Sequence, residues 1–129
     1  MEEKEMSEKI YTEKAPAAIG PYSQAVAVGG LVFTSGQISL DPENGMMIGN
    51  TVEAQTHRVC KNLSAVLEAA GSSLDKAVKT TCFLSDMGDF AAFNEVYSEY
   101  FKGKPARSCI ASKGLPKGAL VEIEVVAER

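Results

Sequence analysis

Between Asn50 and Gly71 the apolar residues Val52, Val59, Leu63, Val66, Leu67 and Ala70 fall on one side of a helical wheel, whereas before and after this stretch apolar residues come in strand-length blocks. That switch of period restricts the chain to architectures in which a sheet carries helices. Asn50 with Glu53 three residues on predicts a capping-box start, and Gly71 a C-terminal stop. Upstream, "KIYTEKAP" reads as a short strand closed by Pro16, and "YSQAVAVGG" and "LVFTSGQIS" as a hairpin joined by Gly29-Gly30. "LDPENGMMIGN" supplies Asp-Pro and Asn-Gly loop signals. Downstream, "KAVKTTCFLSD" has the β-branched and aromatic content of a strand. A second helix opens at Asp86 or Asp89 and runs to about Lys102, with Phe90, Phe93, Tyr97, Tyr100 and Phe101 along one side. Two strands, about 106–112 and 120–127, end the chain. The order predicts an α+β fold, one sheet with two helices packed on one face. Its other face is left for solvent or a partner.

The 129 residues fit one domain, and the acidic, polar start of residues 1–9 is expected to be a flexible charged tail. A net charge of −4 removes the basic footprint that nucleic-acid binders use, so nucleic acid is not the expected ligand. Cys60, Cys82 and Cys109 are odd in number and widely spaced, which suits a reducing cytoplasm better than a disulfide framework. No secretory signal and no run of about 18 apolar residues is present, so no membrane partner is expected.

Alternation along the strands places Arg107, Cys109 and Ala111 on one face, and Glu122 with Glu124 opposite Val121, Ile123 and Val125. If these two strands are neighbours, the arginine face and the glutamate face can coincide. An isolated pair of this kind is most often an exposed ion pair of little energetic weight. Asn94 falls within the apolar stripe of the second helix, where an amide must be hydrogen-bonded, either tying down a loop or reaching a site. In "TSGQ", Ser35, Gly36 and Gln37 sit at a strand end, where glycine permits a bulge or the close approach of a ligand. His57 shares a polar helix face with Glu53, Lys61 and Glu68 and is expected at the solvated surface, which removes the base a Ser/His or Cys/His scheme requires. It also leaves a zinc site without converging ligands. Neither G-x-x-x-x-G-K nor G-x-G-x-x-G occurs. The remaining inventory of a guanidinium, carboxylates, hydroxyls and backbone amides suits a small carboxylate-bearing substrate held by a bidentate arginine.

"APAAIGPYSQAV", "TSGQI", "VKTTCFLSDMGDFAAFNEVYSEYF", "PARSC" and "LPKGALVEIE" resemble, in this order and across nearly the whole chain, the motifs of the RidA (YjgF-like) family. The resemblance implies a chorismate-mutase-like α+β fold, a homotrimer with clefts between subunits, and cofactor-free hydrolysis of enamines and imines such as 2-iminobutanoate and 2-iminopropanoate to 2-oxo acids and ammonia. By the same resemblance Arg107 grips the substrate and Glu122 handles water, while Tyr22, Ser35, Gly36, Asn94 and Cys109 line the site, Cys109 through its backbone. Glu124 is not separated from Glu122 except by this likeness. "FKGKPAR" departs from the family's usual "FPAR" after a longer loop, which touches the cleft rim, and the start is longer than typical. Alternatives are a trimeric carboxylate-metabolite receptor without turnover and an RNA-cleaving protein; the acidic charge opposes the latter.

Overall fold

The computed structural model describes residues 6–129. Its elements in chain order are β1 (Glu8–Ile10), β2 (Ala25–Val28), β3 (Leu31–Thr34), α1 (Val52–Ala69), β4 (Ala77–Leu84), α2 (Phe90–Tyr100), β5 (Ala106–Ala111) and β6 (Val121–Glu128). They form one mixed six-stranded sheet in the order β1-β2-β3-β6-β4-β5. Only the β4–β5 pair is parallel. That pair is bridged by α2, as a parallel connection requires. The α+β class read from the sequence is the one observed.

Local chemistry explains the elements. Gly29 and Gly30, at φ 60° and 80°, supply the two left-handed residues of a primed turn, which fixes the register Val28 to Leu31. Helix α1 is capped by Thr51, whose side chain accepts from the Ala54 amide at 3.1 Å, so the cap lies one residue beyond the expected Asn50. The charged start also differs from expectation. Residues 1–5 lie outside the described ones, but Glu8–Ile10 pairs with β2 and places Ile10 in the core, so the tail cannot extend to residue 9.

Strand β6 holds the middle of the sheet, and its alternation is strict: Val121, Ile123, Val125 and Ala127 are buried beneath the helices. Against them pack Val59, Leu63, Val66 and Leu67 of α1 and Phe93 and Tyr97 of α2. The opposite face lacks helices. There Phe33 and Ile110 are 42% and 52% exposed, beside half-buried Phe83 and Val126. Among the described residues no helix is long and apolar enough to cross a membrane.

Because Phe93 is fully buried and anchors α2 to the sheet, Phe93→Ala is expected to lower unfolding free energy by about 3–5 kcal/mol. Urea denaturation of the variant against the parent measures the change.

Candidate functional site

The strand order separates the arginine from the glutamates. Strands β5 and β6 are not neighbours, because β4 runs between them. Across β4, Arg107 lies beside Thr80 and Glu122 beside Phe83. Positions 80 and 83 have opposite parity along one strand, so their lateral partners leave opposite faces. The expectation that the arginine and glutamate faces coincide within one chain is therefore overturned. Arg107 points to the helix side, and Glu122 and Glu124 point to the open side.

On the helix side Arg107 lies under α2. Its guanidinium carbon is 4.8 Å from the Tyr97 ring centroid and 5.4 Å from that of Phe90. Its Nη1 donates to Asn94 Oδ1 at 2.7 Å. Phe90, Asn94 and Tyr97 recur at i, i+4 and i+7, so one helix stripe builds the whole platform. Asn94 is the amide that interrupts the apolar stripe, and the bond it makes is to the Arg107 guanidinium. The Tyr97 hydroxyl is fixed in turn by the Thr80 hydroxyl at 2.6 Å, and burial pushes its phenol up to about 12. Each ring contact contributes on the order of 0.5–2 kcal/mol to holding the guanidinium. Arginine has five N–H donors and Asn94 takes one, leaving donors for a ligand. A cavity of about 360 Å³ opens beside Arg107, Asn94 and Tyr97.

A larger cleft of about 690 Å³ lies on the other side, lined by Tyr22, Ser35, Gly36, Lys117, Glu122 and Glu124. Gln37 pairs with Ile123 through both backbone bonds, at 2.9 and 3.2 Å, and so draws Gly36 onto the Glu122 carboxylate. A Cβ at Gly36 would stand only 2.9 Å from Glu122 Cδ, so glycine here serves close approach rather than a turn. Glu122 is half-buried, and burial, with the neighbouring Glu124 charge second, raises its carboxyl above the ordinary range. An acid shifted this way is better matched to moving protons near neutral pH.

Three buried carboxamides, which the sequence reading passed over, latch the loops around this cleft. Gln24 accepts from Thr12 N at 2.7 Å and donates to Pro16 O at 2.8 Å. Gln55 donates to Gly49 O and accepts from Leu120 N, at 3.0 and 2.9 Å. Asn62 donates to the carbonyls of Ile38 and Leu40, at 3.3 and 3.0 Å. Gln55 and Asn62 interrupt the apolar stripe of α1 four residues before and three after Val59, a signal as legible as the one at Asn94.

The candidate residues thus fall into two groups. Tyr22, Ser35, Gly36 and Glu122 share one cleft; Arg107 and Asn94 share the other. Cys109 is on the Arg107 face, directly beside Cys82. Burial raises the thiols of Cys60, Cys82 and Cys109, that of Cys82 to about 12, which keeps them protonated and poorly nucleophilic. His57 is half-buried rather than solvated, with Nδ1 2.8 Å from the Tyr100 hydroxyl. No group of three or more His, Cys, Asp or Glu is placed to hold a metal ion among the described residues.

A family model described as Endoribonuclease L-PSP matches residues 12–129. A RutC family protein of Pyrococcus abyssi is 52% identical over 121 residues, covering 93% of this chain and 95% of that protein. The 2-iminobutanoate/2-iminopropanoate deaminase of Mus musculus is 48% identical over 119 residues, covering 92% of this chain and 88% of that one. The crystal structure of YyfA from Yersinia pestis, a protein of the Rid family, superposes with a TM-score of 0.93 at 48% identity, covering 96% of this chain and 100% of that one.

The raised carboxyl has a consequence for stability. A group whose folded pKa exceeds its unfolded one contributes fully below the unfolded value, and that contribution is lost as pH rises through the folded value. Above the unfolded value this burial therefore weakens the fold, and at neutral pH Glu122→Gln is expected to be at least as stable as the parent. Thermal unfolding of both proteins between pH 4 and about pH 8 tests the sign, the advantage of the variant growing with pH.

Proposed function

Because the chain belongs to the RidA (YjgF-like) family, we propose that it hydrolyses reactive 2-imino acids, such as 2-iminobutanoate and 2-iminopropanoate, to 2-oxo acids and ammonia in the cytoplasm, in clefts shared between the chains of a homotrimer. The observation that carries this reading is the division of the site: Arg107 and Glu122 leave opposite faces of one sheet. A substrate needing both must meet the arginine of one chain and the glutamate of another. Exposed Phe33 and Ile110 on the helix-free face favour such an assembly, since burying apolar area of this kind drives association.

In this scheme Arg107 takes the substrate carboxylate with two parallel N–H donors, and its aromatic platform and Asn94 hold the fork so that little freedom is lost on binding. Glu122 orients a water against the imine carbon and removes its proton as the C–O bond forms. That proton passes to the imine nitrogen, giving the carbinolamine; Glu122 then takes the hydroxyl proton as the carbonyl forms and delivers it to the nitrogen, which leaves as ammonia when the C–N bond breaks. Water is consumed and Glu122 regenerated. Positioning accounts for much of the rate, because a misplacement of about 1 Å costs on the order of 100-fold. The model's ribonuclease label finds less support here: a net charge of −4 offers phosphates no basic track.

Four measurements follow. Glu122→Gln should bind 2-oxobutanoate yet lose most turnover of 2-iminobutanoate generated in situ. Arg107→Lys should lose at least about 100-fold in kcat/KM despite keeping its charge, because an ammonium cannot make the bidentate grip. When Arg107→Ala and Glu122→Gln chains are refolded together, about one interface in four should combine an intact arginine with an intact glutamate, so about a quarter of parental activity returns. No recovery after proven subunit exchange would place the chemistry within a single chain. The Glu124→Gln variant should shift the acid limb of the pH–rate profile to lower pH, because the Glu124 charge is one of the two causes that raise Glu122.

A further inference from the structure

The Arg107 pocket contains a second cation. Lys104 lies in the turn between α2 and β5, where its backbone N–H donates to the Phe101 carbonyl at 3.2 Å, and it lines the same cavity as Arg107. It is one of two non-glycine residues with positive φ among the described ones, at 55°. A left-handed backbone is unfavourable for a residue with a long side chain, and asparagine or glycine adopts it more readily. The other such residue, Lys117, lines the opposite cleft, where Glu122 and Glu124 can answer its charge. Among the described residues Lys104 has no such counterpart: none of their carboxylates lines the Arg107 cavity, and their single salt bridge joins Arg129 to Glu8. Within one chain, two cations therefore share a cavity of about 360 Å³ walled by Tyr97 and Phe101, with no acid among the described residues of that chain lining it. One substrate carboxylate satisfies only one of them.

We propose that Lys104 makes this pocket selective for dicarboxylates, so that the preferred substrates are 2-imino acids carrying a second carboxylate on the side chain. The α-carboxylate sits on Arg107 and the side-chain carboxylate at Lys104. This rests on the reading above that Arg107 grips a substrate carboxylate. The hydrolysis is unchanged, water entering and ammonia leaving at the same carbon. Selectivity comes from charge: the ammonium is exposed, so its attraction is modest and screened by salt.

Calorimetric binding of the stable products decides it, with 2-oxoglutarate and 2-oxobutanoate as probes at low ionic strength. The parent should bind the dicarboxylate about five-fold more tightly, the factor that an exposed pair worth about 1 kcal/mol yields. Lys104→Asn, which suits the left-handed backbone and removes the charge, should bring the ratio of the two affinities to about one. Lys104→Arg should retain the preference. Equal affinities in the parent, or a preference that survives in Lys104→Asn, would overturn the Lys104 assignment while leaving the Arg107 reading intact. Binding of neither acid would overturn both.

Discussion

Helices cover only one face of the six-stranded sheet, and side chains along each strand alternate between that covered face and the open one. This constraint sets the surroundings of each polar group. Thr80 and Cys82 of β4 are buried beneath the helices, while Thr81 and Phe83, which alternate with them, look outward. Strand β4 hands its alternation sideways to β5 and β6, so one register fixes both the arginine and the glutamate. A slip by one residue would reverse every side chain of the strand, which the apolar burial of Leu84, Ile123 and Val125 prevents.

The two sides of the sheet give their charges different environments. Beneath α2, a tyrosine pinned by Thr80 and a phenylalanine present π faces to Arg107, and Asn94 fixes its rotation, so the cation is held in place before any ligand arrives. On the open side Glu122 is packed against a glycine and next to a second acid, so its charge is disfavoured. One side holds a guanidinium in place, and the other raises a carboxyl above its ordinary range. Those properties are what the proposed hydrolysis would draw on.

The glutamate cleft is built from loops, which need anchoring because their backbone groups lack ladder partners. Gln24, Gln55 and Asn62 provide it from within the core, each bonding backbone groups of a different segment around the cleft. Each such bond contributes on the order of 1 kcal/mol, and leaving the buried partner unpaired costs more. Among the described residues Asn62 Oδ1 has no partner, and its amide nitrogen serves the Ile38–Leu40 segment. Core polarity thus serves the geometry of the cleft.

The order of elements, the helix-covered single sheet and the hairpin at Gly29-Gly30 were legible in the sequence because they depend on local period and turn chemistry, which adjacent residues encode. Two local oddities were legible too: Asn94 stood out as an amide in an apolar stripe and lies against Arg107, and Gly36 as a glycine at a strand end and lies against Glu122. The sequence could not decide which strands lie side by side, because pairing joins positions far apart in the chain and leaves no local trace. It therefore read Arg107 and Glu122 onto one face when β4 separates them onto two, and it left His57 at the surface when Tyr100, 43 residues on, draws it half inside. The sequence by itself determined which groups are available for chemistry. Only the tertiary structure decided that a single chain divides them between two faces, because strand order and side-chain parity are properties of the assembled sheet.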